Sequence, residues 1–183
     1  MKAEQIYENN IVEKILNCIL NKQEGLFYFV ADETIAFPGY GNPINKDICD
    51  ANNMKIISLP NEGGIIISGP GSISIGHFSK DLGNTFNKDL TNCLISWLQD
   101  LNLNVTLYGN DILIDNTYKV ASSGTRNFDG ILFSTFHISY SVDIDLIKQI
   151  CTKPMIKIPK GLEEFGISQK QLEQVLWRYY DRV

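Results

Sequence analysis

The sequence predicts an α+β fold. Helices stand before, between and after runs of strands, which favours mixed or antiparallel sheets flanked by helices over a regular βαβ series. Three stretches carry this expectation. In residues 110–123, apolar Ile112 to Ile114 runs into Asp115-Asn116, two residues that tolerate left-handed backbone angles, and the chain returns through Tyr118 to Ala121 as a hairpin. In residues 86–101, Phe86, Leu90, Leu94, Trp97, Leu98 and Leu101 share one helical stripe, while Lys88, Asp89, Asn92 and Gln99 face away. In residues 61–77, a triple isoleucine and the alternation Ile73, Ser74, Ile75 flank the turn Ser-Gly-Pro-Gly-Ser, as two strands would.

Taken in order, the chain opens with a helix whose stripe is Ile6, Ile11, Ile15, Cys18 and Ile19. Strands follow at 26–30 and 34–37, the second ended by the loop Pro38-Gly39-Tyr40-Gly41-Asn42-Pro43. Asn45 N-caps a short helix to about Asn52, and residues 55–59 form another strand before Pro60. After the central helix, capped by Asn84 or Thr85, a strand at 105–107 leads into the hairpin. A long strand at 131–140 puts Ile131, Phe133, Thr135, His137 and Ser139 on one side. A helix over 144–151, a linker at 154–160 with alternating Met155, Ile156 and Ile158, and a last helix over 168–180 complete the chain. Ser168 and Gln171 make that helix's capping-box pattern.

At 183 residues, 44% hydrophobic and 20% charged, the chain fits one domain spanning 1–183, with residues 168–183 supplying only a C-terminal helix. A net charge of −5 without a Lys/Arg cluster argues against nucleic acid as a partner. The polar first ten residues and the lack of any apolar run of about 18 residues predict no membrane association and a cytoplasmic protein. Cys18, Cys49, Cys93 and Cys151 are far apart and lack CxxC spacing, so all four read as reduced, buried thiols and no zinc site is expected.

Lys119 is the residue most suggestive of chemistry, because the outgoing hairpin strand holds its ammonium near buried surface on a rigid element. Read from pattern alone, a surface lysine of a ribbon is the better reading of it. Gly63, Gly64, Gly69 and Gly71 allow close backbone approach, either to a ligand's phosphate or to another strand; no helix follows them, so this is not a Walker loop. His137 is either a satisfied sheet histidine or a pocket residue.

Four segments, in order, resemble the lipoate-protein ligase and biotin-ligase superfamily, and the lipoate-ligase branch in particular. They are the opening helix at 10–16; residues 34–43, which keep Asn42 and Pro43; residues 59–72, which keep Gly63, Gly64 and Gly71 and have Ser72 where the family has asparagine; and the hairpin, with Asn110-Asp111 and Lys119-Val120-Ala121-Ser122-Ser123. Phe136-His137-Ile138 and Val142 to Leu146 are similar to the family's histidine strand and following helix start. The chain departs from the family where Leu59 and Pro60 replace two arginines and Glu62 replaces a glycine.

The resemblance implies a class II biotin-lipoate ligase-like catalytic domain. It implies ATP and Mg²⁺ as co-substrates, with no resident cofactor. The acyl substrate is then a small carboxylic acid, lipoate or octanoate-like, and the acceptor a lysine on a lipoyl domain. Lys119 is then the catalytic cation, and Gly63, Gly64, Ser72, Asn110, Asp111 and His137 the substrate or nucleotide contacts. Asp111 could also hold Mg²⁺. The alternatives are a catalytically silent member that binds a small molecule or protein, and an ATP-independent octanoyltransferase using a lysine and a cysteine.

Overall fold

The computed structural model describes residues 3–7, 10–38, 43–58, 65–152 and 155–180. Its frame is an eight-stranded mixed sheet built from β1 (Glu4–Gln5), β2 (Gly25–Val30), β6 (Ile73–Ser79), β10 (Ile131–Ile138), β9 (Tyr118–Phe128), β8 (Asp111–Ile114) and β7 (Val105–Tyr108), in that spatial order. A two-residue strand, β11 (Ile158–Pro159), runs parallel to the start of β9. A second sheet holds β4 (Lys55–Ile56), β3 (Ile35–Pro38) and β5 (Ile65–Ser68).

Period-two alternation sorts the large sheet's side chains into two cores. On one face Ile73, Ile75, Phe136 and Ile138 pack beneath α3 (Phe86–Asp100) and α5 (Gln169–Tyr180), against Leu90, Leu94, Leu98, Leu172 and Leu176. The helical stripe read in residues 86–101 is this contact. Leu101 lies past its end as the C-cap, 37% exposed. On the other face Phe27, Phe29, Phe78 and Phe133 meet α1 (Ile11–Leu20) and β3 of the small sheet. The small sheet's far side is covered by α2 (Lys46–Ala51) and α4 (Ile144–Ile150).

Local chemistry explains several boundaries. Asn45 Oδ1 accepts from the Ile48 amide and starts α2. Ser168 Oγ and Gln171 Oε1 each accept from the other residue's backbone N–H, a closed capping box at the start of α5. Asp115 and Asn116 adopt φ of 53° and 54° and turn β8 into β9.

Two expectations are corrected and one is refined. The stripe from Ile6 does not begin a helix: residues 4–5 pair in parallel with β2, and α1 starts only at Ile11. The two strands expected around Gly69 and Gly71 are β5 and β6; β5 joins β3 whereas β6 runs between β2 and β10, so the turn passes the chain from one sheet to the other. The alternating segment before Lys160 is no passive linker but contains β11 and lines a cavity. The loop residues 39–42, Leu59, and Gly63 and Gly64 lie outside the described residues. Among the described residues no helix is long and apolar enough to cross a membrane.

Candidate functional site

Lys119 owes its direction to an irregularity in the hairpin. Ile112 faces Ala121 but Leu113 faces Lys119, so Val120 is an extra residue in β9, a β-bulge. In a regular strand Lys119 and Ser122, three apart, would face opposite sides. The bulge sends Val120 and Ala121 together into the core under α3 and leaves Lys119 and Ser122 together on the other face. Asp111, paired across the ribbon with Ser122, meets Lys119 there, with Oδ1 2.9 Å from Nζ and the two side chains 27% and 31% exposed. An ion pair this exposed adds little stability, about 0–1 kcal/mol. Its effect is to aim the ammonium.

That face lines a cavity of about 340 Å³, within the roughly 300–1,000 Å³ range of ligand pockets. Ile65, Ile66 and Ile67 of β5 form one wall, and Lys119, Ser122, His137 and Ser139 form the floor. Ile147 and Cys151 come from α4 and its end, and Met155 to Lys157 with Pro159 form a strap across the side. Adjoining it is an apolar recess of about 50 Å³ walled by Ile15, Phe29, Phe37 and Phe133. Ile66 and His137 border both spaces.

His137 is 5% exposed and bonded at both nitrogens, Nδ1 to Ser74 Oγ at 3.0 Å and Nε2 to Ser139 Oγ at 3.4 Å. Burial, helped by the nearby Lys119 charge, pushes its pKa down to about 3, so at neutral pH it is an uncharged imidazole. It is therefore both of the things the sequence allowed, a satisfied sheet histidine and a pocket residue.

The other expected site residues separate. Ser72 does not reach the cavity: it is fully buried, and its Oγ accepts from the Tyr140 amide at 2.9 Å, tying the turn after Gly69 to the end of β10. Asn110 is an exposed turn residue whose carbonyl accepts from Ser123 N, closing the hairpin beside Asp111. Gly63 and Gly64 are not described, although the strand that directly follows them in sequence, β5, is the cavity wall. Of the four thiols, Cys18 and Cys49 are buried as expected. Cys93 and Cys151 are only half-buried, and Cys151 lines the cavity because α4 ends there. Burial, with Cys49 nearby, pushes the Cys151 thiol up, away from the reactive thiolate.

Sequence reading missed Ser122, Ser139 and the strap. The available signal for the strap was the alternation of Met155 and Ile156 to Ile158, which is strand-like in a segment too short to score as a strand.

Residues 8–178 match the family described as lipoyl protein ligase A/B catalytic domain. The chain belongs to that family. Solved structures with the same fold include protein Ta0514 of T. acidophilum, described as a lipoate protein ligase, with bound lipoic acid (TM-score 0.76, 12% identity, covering 99% of this chain and 84% of that one). A second is a bipartite lipoate protein ligase from Thermoplasma acidophilum, studied with its E2 lipoyl domain (TM-score 0.76, 13% identity, 100% and 83% covered). A third is a lipoate-protein ligase A bound with ATP (TM-score 0.75, 12% identity, 100% and 85% covered). At these identities the likeness is one of fold. No curated protein matches the sequence.

Proposed function

We propose that this lipoyl-ligase family member activates a small carboxylic acid, lipoate or an octanoate-like chain, with ATP and passes the acyl group to a lysine of a lipoyl-domain acceptor. One observation carries the reading: a bulged strand holds Lys119 at the floor of a cleft that shares Ile66 and His137 as lining residues with an apolar recess. An amphiphilic acid fits such a shape, with its chain in the recess and its carboxylate near the lysine. Relatives of the same fold bind lipoic acid and ATP, and one works with a lipoyl domain.

In this reading a carboxylate oxygen attacks the α-phosphorus of ATP, pyrophosphate leaves, and the acceptor amine then attacks the acyl carbon, releasing AMP. Lys119 places a fixed cation where the carboxylate and α-phosphate, two anions, must approach, and holding reactants in line is itself a large part of such catalysis. His137, uncharged, takes no part as an acid at neutral pH; with Ser74 and Ser139 it fixes the polar lip between cleft and recess. Among the described residues no three His, Cys, Asp or Glu side chains form a metal cage. Asp111, with one carboxylate oxygen on Lys119, would have its other oxygen to offer a Mg²⁺ carried by the nucleotide's phosphates.

Cys151 in the cavity wall favours a second reading, direct transfer from an acyl donor through a thioester. The raised thiol pKa weighs against it. ATP–pyrophosphate exchange with lipoate or octanoate tests the lead reading. Exchange supports it, exchange-free transfer from an acyl carrier supports the second, and the absence of both leaves a silent binding module.

A further inference from the structure

Among the described residues two lysines line the cleft, and they differ in what they touch. Lys119 is matched by Asp111 at 2.9 Å. Lys157 has no carboxylate within ion-pair distance among the described residues. Its Nζ lies 4.4 Å from the centre of the Tyr108 ring and 3.4 Å from the carbonyl oxygen of Asn116, so the side chain reaches from the strap over the β8–β9 ribbon to β7. A cation over a ring with one long neutral hydrogen bond is held far less firmly than one bonded to phosphate oxygens.

The strap that carries Lys157 is itself lightly held. Among its described residues only Ile158 and Pro159 pair with β9, opposite Tyr118 and Lys119, and Ile156 stands 88% exposed at the rim. A polyanion entering the cleft meets in Lys119 a charge already half-answered by Asp111, and in Lys157 a charge that no carboxylate answers among the described residues. The carboxylate of an acid whose chain fills the recess sits deep, beside Lys119. The rim, where Lys157 lies, is left for a group carrying several charges.

We infer that Lys157 is the second anion-binding cation of the cleft: it leaves the Tyr108 ring to bind a phosphate oxygen of a nucleoside triphosphate whose reacting end faces Lys119. This rests on the ATP-dependent reading above.

The test compares wild type, Lys157→Gln and Lys157→Arg in ATP–pyrophosphate exchange with octanoate, with calorimetric titration of MgATP alongside. Lys157→Gln raises KM for ATP about tenfold or more, the worth of a charge-assisted bond, and leaves KM for octanoate within about twofold. Lys157→Arg recovers most of the loss. An unchanged KM for ATP, or a parallel rise in both KM values as a distorted cleft would give, overturns the assignment. If wild type binds MgATP without exchanging, the ligase reaction fails, while loss of that binding in Lys157→Gln still supports Lys157 and its retention overturns it. A wild type that binds no nucleotide overturns both.

Discussion

The buried imidazole of His137 ties stability to pH in a way that can be measured without any substrate. In the unfolded chain this histidine takes up a proton near its ordinary pKa of 6.5, while in the fold burial and Lys119 hold it at about 3. Between those values the unfolded state binds the extra proton, so stability falls as pH drops from 6.5 toward 3. From pH 7.0 to 4.5 the loss assignable to this one residue is about 2–3 kcal/mol. That is a large part of the roughly 5–15 kcal/mol by which domains are stable. His77 shifts in the same direction, chiefly through burial, so the measurement must be a difference. Urea unfolding of wild type and His137→Asn at pH 7.0 and 4.5 supplies it. Wild type should lose about 2–3 kcal/mol more than the variant over that interval. Equal losses would show that His137 is not held neutral, and the polar lip drawn between cleft and recess would be wrong.

Two further expectations follow from the cavity. Ile66→Trp adds bulk to a residue that borders both cleft and recess, so KM for octanoate should rise roughly tenfold or more while a short acid such as butyrate is little affected; an equal effect on both would place the acyl chain outside the recess. Cys151→Ser should keep exchange and transfer within about twofold, since a thiol raised by burial is no nucleophile; loss of all transfer would establish the thioester route instead.

What could be read from the chain and what could not divide along the range of the interactions. The hairpin was legible because Asp115 and Asn116 announce a left-handed turn, and α3 because its stripe repeats through four turns. The α5 cap was legible because Ser168 and Gln171 are three residues apart. The partition of β5 and β6 between two sheets was not, since pairing depends on residues such as Phe37 and Thr135 far along the chain. Nor was the bulge at Val120, which no residue type signals, although it decides where Lys119 points. Lys119, Asp111 and His137 could be singled out as residues, but the meeting of Lys119 and His137 in one cleft, with Asp111 on the lysine, is a product of tertiary structure. Ser72 was chosen by alignment to a motif and turns out to serve the turn.

The central claim is that the ammonium of Lys119 brings a carboxylate and a nucleotide together. Its most direct measurement is ATP–pyrophosphate exchange with octanoate for wild type and Lys119→Ala, with urea unfolding of both. The variant loses only a half-exposed ion pair, so its stability should stay within about 1 kcal/mol of wild type. Its exchange rate should fall by about a hundredfold or more, the usual cost of removing an electrostatic stabiliser. Exchange that persists in a folded Lys119→Ala would contradict the account.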